Sequence, residues 1–525
     1  MRSMRFVQVL VALLACGAGL SRAESIDLSQ ATIADLNAAF ESGALSSEQL
    51  VSMYLARIEA YDRGGPTLRS VINLNPRALE EARALDRERK DKGPRSPLHG
   101  IAVLVKDVFD TKDMPTTGGF KPLEHSQPDR DAFVIERLRA AGAIILGKLN
   151  LADWYGKSDG SGSTLGGVVL SPYNSRKYPG ASSSGSGVAA AAWLSTVTLG
   201  SDTGGSLLIP AALNSVVAIA ATRGLVSRTG MMWNSPIQER AGPMARSVYD
   251  AALVLDAIAG YDPGDLTTIA SIGQMPPAPY VSYVAADGLR GARIGVLREM
   301  VRSGAMHDEG RAMFERELAA MRAAGAGIVD PVLTGIDLSA AQGPASTAAY
   351  EQGIAANYYF STLPPGAPVR SLDELLAKGG DLVEPTLRQV TSLRSLDRYP
   401  PFIAARKQQI MLRDALVALL DKYQLDALVL PYRTVTAPGI GEAIDAVARR
   451  EMRNGLHAYT GLPSILVPGG YFKDDGMPFA IQFMGREFSE PTLIKIASGY
   501  EATTRHWRAP PLTPALRGEK IEIAR

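Results

Sequence analysis

Lys106, Ser182 and Ser206 are the side chains in this sequence whose types suggest covalent acyl chemistry. Lys106 follows the short apolar run 101–105, which reads as a buried strand. Ser182 lies in a Ser/Gly cluster over 180–187, and Ser206 ends a second such cluster over 200–206. A serine hydroxyl attacks poorly near neutral pH unless a base removes its proton during attack. A lysine can be that base only when neutral, which requires burial or a neighbouring positive charge. A hydroxyl placed between the two can relay the proton, because it both donates and accepts. Two glycine-rich loops held close together would also supply a nest for a developing anion. A plainer reading stands beside this one: two tight turns whose glycines serve only backbone geometry, with Lys106 a surface charge. Spacing alone does not bring residues 106, 182 and 206 together.

The elements around these residues predict an α/β core. Between the clusters, 189–194 reads as a buried helix and 197–199 as a buried strand. Upstream come a strand over 101–105, a helix over 130–140, a strand over 143–146 and a turn at Gly147. Strand, helix and strand in that order favour a mixed or parallel sheet. The polar, glycine-rich stretch 150–167 predicts a loop near the mouth of a site, where Trp154 and Tyr155 either meet a ligand or simply pack. Beyond the centre, 216–221 is apolar, and the periodicity predicts helices over 248–259, 308–324, 410–420 and 490–506. Strands are expected over 293–297, 425–430, 463–467 and 479–484. At the other end of the chain, Ser46 and Gln49 have the spacing of a helix capping box.

Composition removes several function classes. The 525 residues carry a formal charge of +1, and no zinc-finger spacing or basic–aromatic pattern argues for nucleic-acid binding. The single cysteine, Cys16, excludes a disulfide framework and a cysteine metal site. No Walker or dinucleotide fingerprint is present, because the GSGSTLGG at 160–167 lacks the spacing and the flanking strand. No cofactor or metal is implied. Residues 1–23 read as an export signal, with Arg2 and Arg5, an apolar core over 6–14 and Ser21-Arg22-Ala23 before the cleavage point. Leu13-Leu14-Ala15-Cys16 also resembles an imperfect lipobox that would anchor the chain through Cys16; simple secretion or periplasmic release is the reading taken. Residues 24–525 are then one catalytic domain, with 263–440 a variable substrate-facing region.

Five stretches give the chain a specific resemblance: PLHGIAVLVKD (97–107), PGASSSGSGVAAAAW (179–193), LGSDTGGSLLIPAA (199–212), RAGPMARSVYDAALVL (240–255) and LPSILVPGG (462–470). The chain resembles the amidase signature family over nearly its whole mature length. The resemblance implies an α/β/α fold with a central mixed sheet surrounded by helices. It implies a Ser–cis-Ser–Lys triad with Ser206 as nucleophile, Ser182 as the cis serine and Lys106 as base. Thr203, Gly204, Gly205 and Ser206 would supply the oxyanion hole, Ser183 a supporting hydroxyl and Asp202 a structural hydrogen-bond partner. None of the five histidines is needed for that chemistry, and His457 borders a family-like segment. The position before the cis serine is commonly glycine in the family but Ala181 here, and the cis bond is expected to persist. The implied reaction is hydrolysis of a carboxamide through an acyl-enzyme. Export and the 199–212 stretch are most similar to peptide amidases, which remove a C-terminal amide; a broad aliphatic or aryl acylamidase is the alternative. A role in a glutaminyl-tRNA-forming amidotransferase conflicts with the export signal, and a catalytically silent binding protein conflicts with an intact trio.

Overall fold

Among the residues described by the computed structural model (24–157, 160–302, 304–385, 387, 396–442 and 454–523), eleven strands form one sheet. Its order is β2 (Val71–Leu74), β4 (Ile144–Leu149), β3 (Ala102–Lys106), β5 (Val197–Asp202), β7 (Arg240–Ala245), β6 (Val217–Ala220), β11 (Ser464–Tyr471), β12 (Pro478–Met484), β10 (Ala427–Pro431), β8 (Arg293–Leu297) and β9 (Gly327–Val332). The sheet is mixed: β3 runs parallel to β4 and β5, and β8 parallel to β9 and β10, while β5–β7–β6–β11–β12–β10 is antiparallel throughout. Every residue of β3, β5, β6 and β7 is buried. Strands covered on both faces need no polar alternation, which is why they read as continuous apolar or small-residue runs. The expected export segment 1–23, Cys16 included, lies outside the described residues.

Several expected boundaries move, each for a tertiary reason. Gly147 is not a turn but part of β4, which continues to Leu149 opposite Lys106. A Cβ on Gly147 would lie 2.3 Å from the Asn73 carbonyl oxygen, so the glycine lets β2 approach. The helix expected from 189 begins at Ser184, inside the Ser/Gly cluster. Serines weaken a helix by competing for its backbone, but here their hydroxyls have other partners: Ser184 donates to Ser161 O at 2.6 Å and Ser186 to Leu199 O at 3.1 Å. The helix expected over 410–420 runs from Pro400 to Lys422, with prolines in its first turn where no amide donor is required. The capping box at Ser46 and Gln49 forms as expected. Residues 263–440 contribute β8, β9 and β10 to the common sheet, so they share its core.

The two ends of the described chain close the fold together. β1 (Glu24–Asp27) pairs antiparallel with β13 (Lys520–Ile523). Beneath them the buried Arg57 guanidinium bonds both Glu519 carboxylate oxygens at 2.8 and 2.9 Å, the Ala192 and Thr513 carbonyls at 3.1 Å, and stacks 3.7 Å from the Trp193 ring. Arg57→Ala would leave the Glu519 charge buried without its partner, a change that costs about 3–5 kcal/mol. The expected result is a clearly lowered urea midpoint with an unchanged slope; a midpoint within error of the parent would refute it.

Candidate active site

Lys106 is the last residue of β3, the third strand from one edge of the sheet, and is fully buried. Its Nζ lies 2.8 Å from Ser182 Oγ and 2.9 Å from Ser201 Oγ. The face of Trp154 stands 5.0 Å away. A second buried lysine makes the contrast plain. Lys148, on the neighbouring β4, has the Asp107 carboxylate at 2.9 Å, whereas the hydrogen-bond partners of Lys106 are neutral hydroxyls. Burial without a contacting counter-ion disfavours the ammonium form and draws Lys106 down to about 7, against the opposing pull of Glu239 and Asp202. A lysine in that range is substantially neutral at physiological pH.

Ser182 is positioned by the start of the helix Ser184–Ala191, and that start is stitched along β5. Ser183 Oγ donates to Ser201 O at 2.9 Å and accepts from Ser201 N at 3.1 Å. One turn on, Thr198 Oγ1 donates to Ser186 O at 3.0 Å. Ser183 therefore supports the site by locking the Ser182 loop onto the strand that carries Ser201 and Asp202. The expected cis bond before Ser182 is not present: among the described residues the only cis peptide is Asp330–Pro331. The trans form is the lower-energy one for a non-proline residue, and Ala181 brings a β-carbon that glycine lacks.

Ser206 occupies the turn between β5 and the helix Leu208–Leu213, half-buried, with no hydrogen bond to its hydroxyl among the described residues. The contact formed directly is Lys106–Ser182; a Ser182–Ser206 hydrogen bond is not formed. The loop before Ser206 is shaped by Asp202. One carboxylate oxygen takes the Gly205 N–H at 2.5 Å, and the other accepts from His457 Nε2 at 2.7 Å. Gly205, expected to supply the oxyanion hole, thus has its N–H already engaged by Asp202. Gly205 adopts φ +112, and a Cβ there would meet Ile209 at 3.1 Å and the Tyr432 hydroxyl at 3.3 Å, so the turn requires glycine. Burial works against a charge on Asp202, yet His457 beside it and Arg240 beyond hold its carboxyl down at about 2. Burial lowers His457, so a neutral imidazole donates Nε2–H to the carboxylate while its Nδ1 stays buried without a partner. His457 is buried and packed against Asp202.

Three residues escaped the reading of the sequence: Ser201, Gln238 and Glu239. The Ser201 hydroxyl accepts from Lys106, and the buried Glu239 carboxylate, whose charge acts on that amine, accepts the Thr203 hydroxyl and the Asn234 N–H. Gln238 donates to Thr203 O at 2.7 Å and accepts from the Thr347 hydroxyl at 2.7 Å. The two adjacent side chains thereby grip Thr203 by its hydroxyl and its carbonyl. The cause is the antiparallel pairing of Asp202 with Arg240, which lays residue 239 beside residue 203. Position next to two of the family-like stretches was the only signal. Glu239 raises Lys106, so Glu239→Gln, which keeps the shape and removes the charge, should let the lysine fall further. The acid limb of kcat/KM is expected to move about 1 unit to lower pH. A limb that stays in place or moves upward would remove Glu239 from the electrostatics of the base.

A sequence profile described as Amidase matches residues 49–494. A probable amidase of Arabidopsis thaliana is 33% identical over 521 residues, covering 95% of this chain and 94% of that protein. One component of the glutamyl-tRNA(Gln) amidotransferase of Chloroflexus aggregans is 32% identical over 508 residues, covering 93% of this chain and all of that one. Among solved structures, the native peptide amidase of Stenotrophomonas maltophilia superimposes with a TM-score of 0.81 at 38% identity, covering 92% of this chain and 99% of the other.

Proposed function

From the premise that this chain belongs to the amidase family and is a hydrolase of carboxamides, we propose that it removes C-terminal amides from peptides through an acyl-enzyme on Ser206. The observation that carries the reading is the buried Lys106 amine, drawn down to about 7 and held between the Ser182 and Ser201 hydroxyls. A neutral amine that donates one N–H to Ser201 keeps its lone pair for the Ser182 proton. Ser182 in turn takes the proton of Ser206 as Ser206 Oγ attacks the amide carbon. The carbonyl oxygen becomes an oxyanion facing the N–H groups of Thr203, Gly204 and Ser206. Collapse of this intermediate breaks the C–N bond, and the proton returns through Ser182 to the leaving nitrogen, which departs as ammonia. Water, deprotonated along the same path, then hydrolyses the ester and restores Ser206.

Two features support a peptide rather than a small acidic amide. Ser206 is followed by Leu207, Leu208 and Ile209, with no cation among them to receive a substrate carboxylate. The likeness to a peptide amidase structure extends over 92% of the chain. The test is mass spectrometry of products from a panel of amidated peptides, aliphatic amides and aryl anilides. A peptide that changes only from terminal amide to acid, with its internal bonds intact, supports the proposal. Turnover confined to small amides or anilides would replace it with a general acylamidase. Export through residues 1–23 belongs to the same proposal: deleting them should leave activity intact and retain the protein inside the cell, and unchanged export would overturn that part.

A further inference from the structure

The 3-10 turn Leu266–Ser271, with the residue on either side of it, is built inside out. It has three edges, because side chains three apart eclipse one another in this helix type. The edge formed by Asp265, Thr268 and Ser271 is polar and buried. The edge formed by Leu266, Ile269 and Ile272 is aliphatic and exposed by 70%, 52% and 60%, and Met275 continues it at 43%. A water-facing surface would ordinarily reverse the two.

The buried edge explains why the turn cannot roll over. The Asp265 carboxylate accepts from Arg228 N, Nε and Nη2 at 2.9–3.0 Å and from the Thr267 hydroxyl at 2.8 Å. Thr268 Oγ1 donates to Asp265 O at 2.7 Å and accepts from Asp262 N at 2.9 Å, and Ser271 donates to Thr268 O at 2.7 Å. Gly224, at φ +87, lets the turn come so close that a Cβ there would lie 2.4 Å from Thr267 O. The aliphatic edge is therefore held outward by a satisfied polar network, not left there by loose packing.

We propose that this ridge is a lipid-docking surface, seated in the interfacial region of a membrane. Charge argues for lipid over protein. From Tyr261 to Pro279 every exposed residue is uncharged, because both acids of the stretch, Asp262 and Asp265, turn inward. Such a ridge enters an apolar phase without desolvating an ion. Area argues against a second copy of the chain. The exposed parts of the four aliphatic side chains amount to roughly 400 Å², about half of the roughly 800 Å² that each partner of a stable protein interface contributes. Among the described residues no helix is long and apolar enough to cross a membrane, and a ridge of this size makes a peripheral contact.

The test is flotation of the purified full chain with phosphatidylcholine–phosphatidylglycerol vesicles, comparing the parent with the Leu266→Ser/Ile269→Ser/Ile272→Ser variant. The expected result is binding that persists at high salt and falls about tenfold or more in the variant, with carboxamide turnover in solution unchanged. A separate Ile269→Trp variant, which keeps the ridge apolar, should gain fluorescence that brominated lipid quenches. Equal flotation of parent and triple variant, absence of binding by the parent, or an Ile269→Trp signal untouched by brominated lipid would overturn the proposal. So would a dimer of the parent that the triple variant dissociates, which would make the ridge a contact between copies.

Discussion

Ser206→Ala is expected to reduce carboxamide turnover by roughly four orders of magnitude or more, with the fold intact. The size follows from the role, since the other hydroxyl of this turn, on Thr203, is bonded to Glu239 and no acyl-enzyme can form without Ser206 Oγ. The intact fold follows from the environment. The Ser206 hydroxyl is half-buried and holds no hydrogen bond among the described residues, so its removal leaves no buried polar group unpaired. Two measurements check this. Ammonia release should fall to background, and intact-mass spectrometry after mixing with substrate should show an acyl adduct in the parent but not in the variant. Normal turnover by Ser206→Ala would remove Ser206 as nucleophile. A parent that binds amides yet never acylates would replace the enzyme reading with a binding protein.

Lys106→Met should cost about two to four orders of magnitude in kcat/KM, the range of a positioned general base. Methionine keeps most of the buried volume while removing the amine, so this variant separates chemistry from packing better than alanine does. The pH dependence gives a second readout with a definite sign. Burial penalises the ammonium, so the amine titrates at about 7 instead of 10.5. The base works only when unprotonated. Parent activity should therefore plateau above about pH 8 and fall as pH drops through 7, with roughly nine in ten lysines protonated by about pH 6. Lys106→Met should lose this acid limb along with its rate. A variant that retains the limb would show that another group titrates there, and one that retains the rate would remove Lys106 from the mechanism.

Much of the site was legible in the chain itself. A lysine ending an apolar run, and serines inside glycine-rich clusters on either side of a buried helix and strand, are local patterns, and local patterns are what a sequence displays. The α/β class followed from the same order of elements. What was misplaced depended on contacts from elsewhere in the chain. The helix at Ser184 began earlier than its composition suggests because Ser161 and Leu199 accept hydroxyls that would otherwise compete with the helical backbone. Gly147 read as a turn because its role is to admit the Asn73 carbonyl on the neighbouring strand. The orientation of Asp202 was equally hidden, since its partner His457 lies 255 positions away.

By itself the sequence determined the residue types able to carry out acyl transfer, the order of the elements around them and the family to which the chain belongs. The tertiary structure alone decided that Lys106 meets hydroxyls while Lys148 meets a carboxylate, and that difference separates a lowered, usable amine from a structural ion pair. It also decided that Ser201 and Glu239 stand behind the base, through a strand register that no local periodicity encodes. The physical reason is the same in each case. Helix and strand preferences are properties of short segments, whereas a buried amine near neutrality depends on every charge and hydroxyl that packing brings within a few ångströms of it.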